Sequence, residues 1–76
     1  MTKPYTLEQQ ESYAKLVSLA LELGKNSLNF RDRDLALKTR EIMDDYLRVT
    51  NSEERERLGF NDETIRYLRT IIELTL

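Results

Sequence analysis

Apolar residues recur at helical intervals through most of this chain, and no run alternates with the period of a strand. Tyr13, Leu16, Ala20 and Leu23 stand at i, i+3, i+7 and i+10, one face of a helix with about 3.6 residues per turn. Ile65, Leu68, Ile72 and Leu76 repeat the pattern near the other end. Leu35, Ile42, Tyr46 and Val49 make a third stripe between them, with Thr39 and Met43 at its margins. Val and Ile never cluster outside such spacing, as a strand would require. The pattern predicts an all-α fold: a small helical bundle of three longer helices plus one short helix. Short connections make the neighbours antiparallel.

The breaks in the pattern set the boundaries. Residues 1–5 read as a flexible tail, with Pro4 resisting helix, and residues 6–76 as a single helical domain. Thr6-Leu7-Glu8-Gln9 is a capping box, in which Thr6 takes the amide three residues on and Gln9 reaches back. Gly24, followed by Lys25, is expected to end the first helix in a left-handed conformation. Asn29 is the expected cap of the second helix, and Asp32 and Asp34 suit the positive end of its dipole. Asp34 with Lys38 and Asp44 with Arg48 form i, i+4 pairs on its outer side, each worth about 0.2–0.5 kcal/mol. Thr50-Asn51-Ser52 closes that helix and opens a short one, which Gly59 stops after Leu58. Asn61 caps the last helix, with Asp62 and Glu63 in its first turn. Phe30, Leu58 and Phe60, in or beside the connections, are expected to plug the bundle ends.

A core this small is thin. A chain of 76 residues buries only about 60% of the surface its unfolded form exposes. Domains of this size lean on disulfides, a metal or a partner chain. There is no Cys and no His, so disulfides, thiolate ligands and imidazole ligands are all excluded. Efficient helix packing or association with another chain remains.

Two helices carry more apolar surface than one face can use. Leu7, Ala14, Val17 and Leu21 lie away from the Leu16–Leu23 face of the first helix. Tyr67, Ile71 and Leu74 lie about 140° round from Ile65 and Ile72 on the last. Either one helix is central and buried on several sides, or this surface meets another chain. On the second reading Leu7, Val17, Leu21, Tyr67, Ile71 and Leu74 bind a protein partner, as a homodimer or by docking on a larger protein. Partner helices would add buried area worth about 25 cal/mol per Å².

Several chemistries fall away. Nucleophilic catalysis by Ser needs a positioned base, normally His. Asp44 and Asp45 are adjacent, so on a helix they diverge by roughly 100°. Asp32 and Asp34 open like a calcium loop, but its Gly and distal Glu are missing. Two glycines cannot make a phosphate-cradling loop, and neither GxGxxG nor GxxxxGK[ST] occurs. No catalytic, cofactor-binding or metal-ligating residue is therefore expected. With 12 basic against 14 acidic residues and a net charge of −2, nothing pulls the chain generally toward nucleic acid or anionic lipid. The N-terminus lacks the apolar core of a signal peptide, no stretch approaches the roughly 20 residues of a membrane span, and a cytoplasmic location is expected.

The stretch from Glu53 to Arg69 resembles a helix-turn-helix motif. Leu58 matches the apolar residue before the turn, Gly59 the turn glycine, Phe60 the apolar residue after it, and Ile65 and Leu68 the buried positions of a recognition helix. The resemblance implies a DNA-binding regulator with residues 61–74 as recognition helix and Arg66 and Arg69 on the nucleic acid. Three features oppose it. Glu54 and Arg55 stand where the first helix of the motif buries apolar and small residues. Asp62 and Glu63 would carry negative charge to a polyanion. The whole chain is acidic, with no clear basic stripe. The sequence therefore favours a non-enzymatic regulatory or adaptor protein acting by protein–protein contact through apolar helix faces and self-associating, with the DNA-binding regulator as the alternative.

Overall fold

The computed structural model describes residues 5–26 and 33–76. They form four helices and no strand: α1 (Leu7–Asn26), α2 (Arg33–Val49), α3 (Ser52–Leu58) and α4 (Asp62–Thr75). Three longer helices and one short one make a small all-α bundle with antiparallel neighbours. Residues 1–4 of the expected tail, the Asn29 cap, Phe30 and Asp32 lie outside the described residues. Tyr5 is half-buried: its ring lies under the Arg57 guanidinium, 5.4 Å from centroid to Cζ, and its hydroxyl donates to the Glu54 carbonyl at 3.5 Å.

The Thr6 capping box forms as the sequence dictates. The Thr6 Oγ1 accepts the Gln9 amide at 3.1 Å and Gln9 Oε1 accepts the Thr6 amide at 3.0 Å. Gly24 does not end α1, which continues to Asn26. A glycine stops a helix when it turns left-handed, and Gly59 is the one described residue with positive φ, at 91°. There the Gly59 amide bonds back to the Arg55 and Glu56 carbonyls at 3.1 and 3.2 Å, closing α3. Gly24, left inside a helix, costs about 1 kcal/mol relative to alanine. Gly59→Ala is expected to destabilise by about 1–2 kcal/mol, the cost of a left-handed alanine. Urea unfolding should show it as a lower midpoint at constant slope.

The core is Leu16, Leu23, Ala36, Met43, Tyr46, Phe60, Ile65, Leu68 and Ile72. On α2 it corrects the expected stripe. Ala36, Thr39, Met43 and Tyr46 are buried, while Leu35, Ile42 and Val49 are only half-buried. The reason is that α2 packs against both α1 and α4. Its buried arc is therefore centred between two neighbours, and Thr39 and Met43 move from margin to middle. Thr39 is tolerated there because its hydroxyl donates to the Leu35 carbonyl at 2.6 Å. On α4, Thr75 is buried and Leu76 stays 38% exposed, since the helix ends at Thr75. Phe60 plugs the α3–α4 connection, and Leu58 is half-buried against the core cluster.

The outer ion pairs also differ from expectation. Arg48 pairs with Asp45 rather than Asp44, and reaches Glu8 of α1 at 3.7 Å. Two carboxylates on the α1 side outcompete one on the far side. Asp34 and Lys38 make no ion pair among the described residues.

Candidate functional site

A polar joint ties the start of α1 to the end of α2 and the start of α3. Gln9, buried on α1, donates through Nε2 to the Val49 carbonyl at 2.8 Å and to Glu54 Oε2 at 2.9 Å. Glu54 in turn closes a second capping box with Asn51: Glu54 Oε1 accepts the Asn51 amide and Asn51 Oδ1 accepts the Glu54 amide. One residue thus caps α1, terminates α2 and braces the first turn of α3. Hydrogen bonds from the Asn51 amide and from Gln9 hold the Glu54 carboxyl below its usual range.

The turn from α3 to α4 is also polar. Arg55, its side chain 12% exposed, bonds Asp62 at 2.7 Å and the Thr50 carbonyl at 2.6 Å. Ser52 donates to the other Asp62 oxygen at 2.9 Å. The Arg55 and Ser52 hydrogen bonds lower the Asp62 carboxyl from its ordinary value. Both carboxyls have depressed folded pKa values, so their stabilisation is present above the ordinary carboxylate range and lost as pH falls through the folded values. Fluorescence or amide exchange across α3 should report its loosening on acidification before α1 responds.

This joint bears on the helix-turn-helix resemblance. Glu54 and Arg55, which would be a close apolar crossing in that motif, are instead the two anchors of a hydrogen-bond network. Asp62 is engaged by Arg55 and Ser52, while Glu63 is exposed in the first turn of α4. Arg66 and Arg69 are exposed beyond it.

The six residues expected to bind a partner divide into two kinds. Leu7, Leu21, Tyr67 and Leu74 are 71%, 62%, 70% and 76% exposed. Val17 and Ile71 are half-buried, packed on the core. Each strip therefore starts at the core edge and runs outward to the opposite side of its helix. The central helix is α2, so neither α1 nor α4 has its second strip covered. No family model, curated protein or solved structure matches this chain.

An open groove of about 570 Å³ runs beside the α1 strip, between α1 and α2, lined by Ala14, Lys15, Ser18, Leu19, Lys38 and Ile42. Its floor is apolar and two ammonium groups stand at its rim. Helical spacing alone places Ala14 on the outer strip; the role of Ile42 and Lys38 depends on how α2 is turned. Among the described residues, no group of three or more acidic side chains is placed to hold a metal, and every buried side-chain nitrogen and oxygen has a hydrogen-bond partner. No described helix is long and apolar enough to cross a membrane.

Proposed function

We propose that this protein is a small non-enzymatic regulator or adaptor that works by protein–protein contact and associates with itself. One observation carries the reading: Leu7, Leu21, Tyr67 and Leu74 hold most of their surface in water on the sides of α1 and α4 that face away from the core. Scattered exposed leucines are ordinary. Aligned ones, continuous with half-buried Val17 and Ile71, are the arrangement of an interaction face. Tyr67 adds to it, since Tyr is enriched where proteins meet.

The test is mass in solution by light scattering across a dilution series. Self-association is expected by about 100 µM, the range that a small helical interface supports. Leu21→Asp is expected to reduce it while helicity by circular dichroism stays unchanged, because Leu21 contributes little to the core. A wild-type monomer throughout that range refutes self-association. Duplex DNA at about 50 mM salt, where phosphate contacts are strong, serves as the contrast. No retardation is expected, and retardation lost on changing Arg66 and Arg69 to Ala would instead favour a nucleic-acid role.

A further inference from the structure

The outer side of α1 carries a charge pattern that inverts its signs when read backwards. Glu11, Lys15, Ser18, Glu22 and Lys25 follow one another at intervals of four, three, four and three residues. All five are exposed. Turned about Ser18, Glu11 falls on Lys25 and Lys15 falls within one residue of Glu22. None of the four charges has an ion-pair partner among the described residues, although Glu11 and Lys15 stand one helical turn apart. Beside this row lie Ala14, Val17, Leu21 and Gly24, at intervals of three, four and three. Alternation of three and four is the spacing of a heptad seam, which keeps one face turned toward a partner helix. A Cβ added at Gly24 would meet nothing within 4 Å among the described residues, so the side-chain side of this helix-interior glycine is open.

We propose that α1 pairs antiparallel with α1 of a second copy, about a two-fold axis passing between Ser18 and Leu19. The proposal rests on the self-association reading and names its surface. In this register Val17 faces Leu21 of the second copy, and Ala14 faces Gly24, whose missing side chain lets the two backbones approach. Ser18 meets its own equivalent. Glu11 of each copy faces Lys25 of the other, with Lys15 and Glu22 matched on the outer margin. A parallel pairing would set Glu11 against Glu11 and Lys25 against Lys25, so the same charges that favour one orientation reject the other. The contact is isologous and closes as a dimer. It spans about 21 Å of helix, which makes it a small interface and a weak one, with a dissociation constant on the order of micromolar.

The chain has no cysteine, so a single introduced thiol reports the register. Ser18→Cys in the full chain is expected to form an intermolecular disulfide on mild oxidation. Leu7→Cys, whose two copies would lie about 35 Å apart, is not. Charge reversal gives an independent readout. Glu11→Lys with Glu22→Lys in one variant, and Lys15→Glu with Lys25→Glu in another, are each expected to weaken self-association by at least about tenfold. Mixing the two variants is expected to restore a heterodimer. The proposal is overturned if Ser18→Cys stays uncrosslinked and both charge variants associate like wild type. Cross-linking of Thr70→Cys in place of Ser18→Cys would assign the dimer to α4, refuting this pairing while self-association stands. A wild-type chain that is monomeric at about 100 µM overturns both.

Discussion

Tyr46→Ala is expected to leave the chain largely unfolded at room temperature. Tyr46 is fully buried and stands where α1, α2 and the α3–α4 connection meet. Its ring packs against Tyr13 at 6.4 Å and edge-on against Phe60 at 5.8 Å, and its hydroxyl donates to the Phe60 carbonyl at 2.8 Å. Truncating a buried aromatic costs about 3–5 kcal/mol. At about 0.05–0.15 kcal/mol per residue, a domain of this length holds only some 4–11 kcal/mol in all. Tyr46→Phe separates the two contributions. It keeps the ring contacts but leaves the Phe60 carbonyl without its donor, an expected loss of about 1–3 kcal/mol. Thermal melts followed by circular dichroism would rank wild type, Tyr46→Phe and Tyr46→Ala in that order. Equal melting of wild type and Tyr46→Phe would show the hydrogen bond to be dispensable.

The same residue sets an alkaline limit. Burial pushes the Tyr46 hydroxyl up from 10.0 to about 12. Its folded pKa is raised, so the stabilisation is complete below the unfolded value and disappears as pH rises through the folded one. Unfolding is therefore expected between about pH 10 and pH 12. In Tyr46→Phe this part of the alkaline transition should vanish.

Gln9→Ala is the second large loss, expected at about 3 kcal/mol from the removal of three hydrogen bonds at 0.5–1.5 kcal/mol each. The capping bond to Thr6 goes, and so do the bonds to the Val49 carbonyl and to Glu54. The effect should spread beyond α1, because the side chain joins three helices. Amide exchange is the sharper readout: protection should fall in the first turn of α3 as well as the first turn of α1. Exchange confined to α1 would mean that Asn51 and Glu54 brace α3 without help. Gln9→Glu is a further check. It sets a second carboxylate against Glu54, so the introduced carboxyl has a raised folded pKa. The variant should be weaker than wild type at pH 7 and recover part of the difference as pH falls.

The helical faces of α1 and α4 were legible before any coordinates, because each packs on one side only and a one-sided helix writes its burial into a 3.6-residue period. The buried arc of α2 lies most of a residue's rotation away from the stripe that its spacing predicts. Leu35, Ile42 and Val49 are its most hydrophobic residues, yet Ala36 and Thr39 are fully buried along with Met43 and Tyr46, since burial follows the arc that faces both α1 and α4. Glycine permits a left-handed turn and so predicts a stop at Gly24, but permission does not compel one, and α1 runs on to Asn26. The Thr6–Gln9 box was visible as a local pattern. The bonds from Gln9 to Val49 and Glu54, at separations of 40 and 45 residues, leave no local trace.

For the second apolar strips, sequence supplied the surplus and structure supplied its exposure. Periodicity alone shows that α1 and α4 each carry a second apolar strip, because angle around a helix follows from spacing. It does not show which helix lies at the centre, since that depends on how the helices stack. The tertiary structure gives the centre to α2, leaves Leu7, Leu21, Tyr67 and Leu74 in water, and tucks Val17 and Ile71 against the core. Local chemistry wrote the helices and their caps; exposure is a property of the assembled fold, and only packing could assign it.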